Sequence, residues 1–475
     1  MANFIRHFCV RGSASFSGLK PVMSSISNSQ RLYSSALFVP GNKANKTFTY
    51  LTPNIDFSDY FADIQNLQKE LNQRDIKIDA QELKKAWDYY QFVRSNRDAL
   101  EEKLSIVNGQ LQEFFKNNDL SADDLKRKED LQHQNKLIKQ DIKAIKEAAW
   151  ELEESVIPQV LKLPNETDKR TPIESPLLLK SVGEKSNFIN RERHSHLDIG
   201  KNLGLLEYKN PIQYYLCDKA ALFELEALAL AGEILKQSNS MRVALPDFCR
   251  SIIVEGCGMD HESSVESFML QNDTDVKEEY LVNRLHLVGG ASLPAMLAMY
   301  TKQAFKPSDF PIRIFSAGRH YTPFPSSLTV QHGLFSVCQA SAVQALTLVK
   351  DKDSKEYKEE FERLIEAATK IYNDIGCHYR VVIRPAKELN LAESMRLSFE
   401  MYSVHADQYV EIGHVSACGD YFSKRLMIAC PTTTSVGYPA AVSGTLLSVP
   451  KMLGCLIEEN PDEFVTPEKL RGLFD

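Results

Sequence analysis

The sequence predicts an α+β protein: a long antiparallel α-helical hairpin, followed by a domain in which strands and helices alternate. Three observations point there. Apolar residues recur at alternating spacings of three and four between Leu83 and Val156. Prolines cluster at Pro158, Pro164, Pro172 and Pro176. Beyond them, β-branched and aromatic runs alternate with Ala- and Leu-rich stretches. A chain of 475 residues allows two or three domains with a sizeable core.

The N-terminal stretch reads as an address. The first acidic residue is Asp56, and before it Arg6, Arg11, Lys20 and Arg31 stand among Ser, Phe and Leu. A basic, Ser-rich, acid-poor start has the composition of a mitochondrial transit peptide, and there is no continuous apolar segment of the secretory kind. The expected leader is residues 1–35, with cleavage between Arg31 and Ser35, and the fold is expected to begin at about Pro53.

The hairpin comes next. Leu83, Ala86, Tyr90, Val93, Leu100, Leu104, Val107, Leu111 and Phe114 follow the spacing of a buried helical seam, interrupted at Arg97. Leu131, Ile138, Ile142, Ile145, Ala149, Leu152 and Val156 repeat it, with Asn135 in the seam. That periodicity indicates coiled-coil packing. Asn117-Asn118-Asp119 with Ser121 supplies a turn and a cap, so the two helices must run antiparallel and project on the order of 50 Å. On the second helix Lys136, Lys139, Lys143 and Lys146 form a cationic stripe suited to phosphates. Pairing of these lysines with acids across the hairpin is an equally good reading of the charges alone. The segment containing Pro158, Pro164, Pro172 and Pro176 is expected to end the hairpin and to serve as a linker.

In the second half, Phe223 to Lys236 reads as a helix, and Tyr379 to Ile383 and Gln408 to Ile412 as strands. Net charge is −7, so any nucleic-acid contact depends on a local patch. No apolar run approaches the ~20 residues of a membrane helix. The dispersed, odd set of cysteines contains no CxxC pair, which argues against a disulfide scaffold and against a metal site. The phosphate-binding and hydrolase motifs GxxxxGK[ST], GxGxxG, HExxH and GxSxG are all missing.

Several landmarks then fall in a telling order. They are Leu163-Pro164-Asn165; His196-Leu197-Asp198-Ile199-Gly200; Tyr214-Tyr215-Leu216 followed by Ala221 to Leu230; Pro246 with Gly256-Cys257-Gly258; and Glu411 through Cys418-Gly419-Asp420-Tyr421 with Lys424-Arg425. In this order they resemble a seryl-tRNA synthetase, a class II aminoacyl-tRNA synthetase, over about Pro53 to Phe474. The resemblance implies a class II antiparallel sheet with flanking helices, preceded by a tRNA-binding arm. It implies domains at 53–165 (arm) and 166–475 (catalytic-type), with a dimer built on the Pro246 to Gly258 motif.

The same resemblance implies that the chemistry is lost. Where the family holds serine with Thr-x-Glu, this chain has Gly290 and Ser292. Where motif 2 carries Arg and Glu around ATP, Ser316 and Gly318 stand. Farther on only His332 keeps register, with Val330 at the loop Arg, Ser336 at a Lys and Cys338 at a Glu. Arg319 and His320 could fill motif 2 only in a register that breaks the His332 match. Motif 3 ends in Pro450-Lys451 instead of Gly-Arg, and Ser443 replaces an Asn. Glu411, Arg425 and Lys451 are what remains of an ATP site.

The resulting expectation has no catalytic residues, cofactor or metal. It is a non-aminoacylating protein of the mitochondrial matrix, similar to the seryl-tRNA synthetase-like proteins of insect mitochondria. It would bind serine-type tRNA through Lys136, Lys139, Lys143 and Lys146, and pair with itself or with an active mitochondrial seryl-tRNA synthetase. The alternative is an enzyme with altered nucleotide or acyl-transfer chemistry, drawing on His332, Cys338, His414 or Cys418.

Overall fold

A computed structural model describes residues 35–38, 51, 57–116, 122–183, 193–270, 284–323, 333–431 and 436–471. The expected leader up to residue 34 and the Asn117 to Ser121 turn lie outside the described residues.

Two short helices, α1 (Phe57–Tyr60) and α2 (Ile64–Gln73), lead into α3 (Ala80–Lys116) and α4 (Ala122–Leu161). With 37 and 40 residues, the long helices extend roughly 55 and 60 Å at the standard rise. The apolar seam is buried as its spacing requires, at Leu83, Tyr90, Val93, Val107 and Leu111 on α3 and at Leu131, Ile142, Ala149 and Val156 on α4. Contacts climb one helix as they descend the other. The Tyr90 hydroxyl donates to Glu153 at 3.3 Å, Lys146 pairs with Glu101 at 2.9 Å, and the Asn135 amide donates to Asn108 at 2.6 Å. The hairpin is therefore antiparallel. Arg97 leaves the seam to pair with its neighbour Asp98 at 2.8 Å.

Pro158 does not end the helix. It sits inside α4, which continues to Leu161. A proline forfeits one backbone hydrogen bond, and here the last turn is held by the buried Ile157, Val160 and Leu161 instead. The fold also begins earlier than Pro53, because Ala36, Leu37 and Leu51 belong to the hydrophobic core at the base of the hairpin.

The second domain is a mixed layer structure. Along the chain come β1 (Leu177–Val182), α5 (His196–Asn202), the hairpin β2 (Leu206–Asn210) and β3 (Gln213–Leu216), and α6 (Asp218–Gln237). Then follow β4 (Met241–Arg242), β5 (Phe248–Arg250), α7 (Ser251–Gly256), β6 (Phe268–Leu270), β7 (Leu285–Leu287) and α8 (Leu293–Tyr300). Next are β8 (Ile312–Tyr321), β9 (Gln339–Val349), α9 (Lys355–Ile375), β10 (Tyr379–Ile383), β11 (Met395–Ser403) and β12 (Gln408–Gly419). The series closes with α10 (Tyr421–Leu426), β13 (Cys430–Pro431), β14 (Val436–Gly437), β15 (Ala440–Ser448) and α11 (Val449–Glu459).

Eight strands form one sheet in the order β1-β10-β11-β12-β15-β9-β8-β4. Every neighbour pair is antiparallel except β4 with β8. Alternate residues serve opposite faces. Phe315 and Ala345 join the core under α6, α9 and α11, whereas Ile314 and Leu346 join the core shared with α7, α8, α10 and the hairpin base. That second core makes the hairpin and the sheet one body. At Gly256 a Cβ would lie 2.3 Å from Leu426, so only glycine lets α7 approach α10 this closely.

Arg74, just past α2, fastens the joint. It is buried, and its guanidinium donates to the carbonyls of Asn165, Asn390 and Glu393 and to the Thr167 hydroxyl at 2.7–3.2 Å. Asn165 adds hydrogen bonds from its backbone N–H to Leu391 and from its amide to Ala392 and Cys418. The first part of the stretch read as a linker, through Asn165, is thus a packed seam, whereas residues 173–176 are exposed. No helix among the described residues is long and apolar enough to cross a membrane.

Candidate functional site

The sheet face toward the hairpin base carries a cleft with two lobes, of about 740 and 350 Å³, which share His320, Thr322, His414 and Thr445. Its floor comes from β8, β9, β15, β12 and β11, and its rim from the turn before α8 and from the 389–393 loop.

The turn before α8 is where the resemblance expects serine ligands. Ser292 is buried and acts as the helix N-cap: its hydroxyl accepts from the Ala295 N–H at 3.4 Å and donates to the Gly289 carbonyl at 2.6 Å. The Gly290 N–H donates to Asp247 at 2.8 Å, and a Cβ there would lie 2.7 Å from the Leu245 carbonyl oxygen. The backbone at Gly290 therefore has no room for a side chain, and the hydroxyl of Ser292 is committed to its own helix.

Ser316, Gly318 and His320 succeed one another at every second residue of β8, so they share the cleft face. Around Gly318 there is open space where a side chain would begin. Arg319 turns the other way and pairs with Glu224 at 2.9 Å. Ser316 and Gly318 therefore stand on the cleft side of β8, and Arg319 on the opposite side. Val330 and His332 lie outside the described residues.

The polar side chains of the floor are bound to one another. Gln344 donates to the Ser443 hydroxyl at 3.0 Å and accepts from Thr445 at 2.8 Å. Ser443 in turn donates to the Ala345 carbonyl at 3.1 Å. The buried Glu393 accepts from the Ser416 hydroxyl at 2.6 Å and from the Asn390 N–H at 2.9 Å. In the smaller lobe Arg396 donates to Glu411 at 2.6 Å, and Ser398 donates to its other oxygen at 2.5 Å. Burial opposes the charge of Glu411, but Arg396, His414 and Lys451 outweigh it and hold the carboxyl well below its usual range. Burial, with Lys451 and His414 nearby, pushes the His320 imidazole down to about 4, so it is neutral at physiological pH.

The residues expected to survive from an ATP site separate in space. Glu411 and Lys451 line the same lobe. Arg425 lies elsewhere, fully buried on α10, with its guanidinium 3.4 Å from the Tyr421 ring centre and donating to the carbonyls of Leu161 and Leu163. It clamps the end of α4, which is a folding role. Of the candidate nucleophiles, Cys338 and Cys418 are buried, and burial drives the Cys418 thiol well above its ordinary range, which leaves no thiolate. Among the described residues no group of three or more His, Cys, Asp or Glu could hold a metal ion.

On the hairpin, Lys136, Lys139 and Lys143 are exposed and make no ion pair with a described residue, while Lys146 is paired with Glu101. The charge pattern left two readings open; the geometry assigns one lysine to cross-hairpin pairing and three to solvent.

Comparison with known proteins adds to this geometry. The family profile described as tRNA synthetase class II core domain (G, H, P, S and T) matches residues 277–460. This chain carries a class II tRNA synthetase core domain. The core is similar to solved seryl-tRNA synthetases. The cytoplasmic serine–tRNA ligase of Naegleria fowleri, solved with AMP, matches at TM-score 0.72 and 16% identity, covering 88% of this chain and 96% of that one. The Pyrococcus horikoshii seryl-tRNA synthetase, solved with ATP, matches at TM-score 0.73 and 15% identity, covering 88% and 97%. At that identity the likeness is one of fold, and it includes the large antiparallel sheet and flanking helices. In sequence the chain is 27% identical over 438 residues to the serine–tRNA synthetase-like protein Slimp of Drosophila melanogaster, covering 89% of this chain and 88% of that protein. It is 26% identical over 322 residues to the mitochondrial serine–tRNA ligase of Mus musculus, covering 65% and 60%.

Sequence reading missed two groups that shape this cleft. Glu393 enters the cleft from a loop, and Arg74 holds that loop by its carbonyls. Their partners are far away in the chain, and no local spacing announces them.

Proposed function

We propose that this chain is a non-aminoacylating seryl-tRNA synthetase-like protein of the mitochondrial matrix. It binds serine-type tRNA along its helical arm, and pairs with itself or with an active mitochondrial seryl-tRNA synthetase in support of mitochondrial translation. The observation that carries this reading is the turn before α8. There a capping serine and a glycine without space for a side chain stand where a serine-binding site requires a carboxylate and a hydroxyl. An amino acid's ammonium would meet no carboxylate from this turn, and a desolvated charged partner is worth about 1.5–3 kcal/mol. Support for the arm comes from the exposed Lys136, Lys139 and Lys143 on a rod already fixed to the core. Double-stranded RNA is recognised largely by shape and backbone contacts, and neither needs an active site.

Serine-dependent ATP–pyrophosphate exchange tests the first half, and the expected rate is background; exchange above it would overturn the reading. For the second half, tRNA binding is measured across a salt series with K136E/K139E/K143E. The variant is expected to bind more weakly, with a log–log salt slope smaller by about 2–3 if each lysine meets one phosphate. Mass measurement after co-expression with the active synthetase distinguishes the two pairings.

One observation favours the second reading, altered nucleotide chemistry. The ammonium of Lys451 lines the smaller lobe near Glu411 yet makes no direct ion pair among the described residues. Thermal shift with ATP separates the readings, because the non-catalytic one expects none.

A further inference from the structure

The four described residues 35–38 lie far from the rest of the described chain in sequence, yet they are built into the core. Ala36 and Leu37 are 1% and 0% exposed, in the same cluster as Trp87, Ile253 and Tyr421. Their anchor is Glu255, next to last in α7 and on the wall of the larger cleft lobe. One carboxylate oxygen accepts from the Ser35 hydroxyl at 2.8 Å. The other accepts from the backbone N–H groups of Ala36 and Leu37 at 2.5 and 2.8 Å. The Ser35 hydroxyl also accepts from the Phe38 N–H at 3.0 Å, which fixes the turn. Consecutive N–H groups closing on an anion form a concave receptor, and here the chain wraps that receptor around its own buried acid. The His261 imidazole lies 3.9 Å from the same carboxylate. Burial already pushes the Glu255 carboxyl up to about 7 in spite of the donors. A buried carboxylate stripped of its donors is among the costliest groups a fold can hold.

We propose that Ser35–Phe38 is a permanent latch of the mature protein, received by Glu255, and that leader removal takes place on the N-terminal side of Ser35. This rests on the mitochondrial reading above only for the existence of a leader; the latch itself stands without it. In the processing step a protease adds water across one peptide bond upstream of Ser35. The leader leaves with a new carboxylate and the mature chain gains a new ammonium. A cut after Phe38 would remove the Ser35 hydroxyl and the Ala36 and Leu37 N–H groups that donate to Glu255.

Two measurements test this. The full-length precursor is imported into isolated mitochondria and the mature N-terminus is read by mass. The expected terminus is Ser35 or an earlier residue; a terminus beyond Ser35 overturns the processing claim. Separately, chains starting at residue 32 and at residue 39 are compared in thermal melts. The longer is expected to match the full chain and the shorter to melt several degrees lower; equal melting overturns the latch. Glu255→Ala completes a cycle. It should lower the melting temperature of the longer chain and leave that of the shorter one unchanged or raised, because there the carboxylate has already lost its donors. Additive losses in the cycle would also overturn the latch. If the precursor is neither imported nor cut, the mitochondrial reading fails, and the melts still decide the latch.

Discussion

The arm and the cleft use the same kinds of residues and dispose of them differently. On α4, Lys136, Lys139 and Lys143 point to solvent and make no ion pair with a described residue. In the cleft, Arg396 is bound to Glu411, Glu393 to Ser416, and Gln344 to Ser443 and Thr445. A polar group already satisfied inside the protein gains little by turning to a ligand, and breaking its bond leaves a partner unpaired. An exposed lysine exchanges only water and counterions for a phosphate, and counterion release favours that exchange. On the function proposed above, the surface offered to a partner is the rod, while much of the polar floor of the cleft is bonded within itself.

The largest expected effect comes from the joint between the two regions. Arg74→Ala removes the donor to three carbonyls and a hydroxyl and should destabilise the fold by about 3–5 kcal/mol. Urea denaturation followed by fluorescence measures it. Loss of coincidence between probes on the arm and on the sheet would show that Arg74 makes them one unfolding unit.

Next comes an attempt to reopen the cleft. Gly290→Thr with Ser292→Glu restores the residue types that the family resemblance associates with serine. The expectation is a loss of about 2–4 kcal/mol, from the lost cap and from crowding against the Leu245 carbonyl, with no gain in pyrophosphate exchange. Exchange in this variant would show that the cleft is closed by two side chains alone.

A smaller effect is expected from acid. His320 and the fully buried His286 both have imidazoles pushed down to about 4, chiefly by burial. The unfolded chain takes up these protons near pH 6.5, and the folded one only near 4. Between those values the unfolded state binds more protons, so this contribution to stability is full above 6.5, falls as pH drops toward 4, and is lost below it. His320→Gln should flatten that slope in pH-dependent melting. The exposed lysines Lys136, Lys139 and Lys143 should leave the slope unchanged.

The smallest effects belong to the arm's own stability. Lys143→Ala should be neutral to within about 0.5 kcal/mol, and Lys146→Ala, which loses an exposed pair with Glu101, should cost no more than about 1 kcal/mol. The order reverses for tRNA binding, where Lys143 should matter more than Lys146.

Much of the fold was legible because periodicity reports which face is buried. The seam from Leu83 to Phe114 became α3, Asn135 found Asn108 across the seam, and the strand Tyr379–Ile383 stands as expected. What periodicity does not report is the identity of the opposing surface. Arg425 carried the look of an ATP-site residue, but its guanidinium turns under α10 to the end of α4, which sequence separation hid. Pro158 belonged to the proline segment expected to end the hairpin, yet it lies inside α4, whose last turn is held by the buried Val160 and Leu161 that the sequence did not reveal. At Gly290 and Ser292 the residue identities were plain in the sequence, while the missing space and the capping hydrogen bond needed coordinates.

The grip of Arg74 has one more consequence. A rod roughly 55 Å long, clamped at its root, behaves as a cantilever and not as a tether. A load placed near the tip reaches the root as torque, and the root is the loop whose Asn390 and Glu393 carbonyls Arg74 holds. That loop also carries the Glu393 carboxylate bonded to Ser416 in the cleft floor. Weight carried at the far end of the arm therefore bears on the loop that brings Glu393 into the cleft.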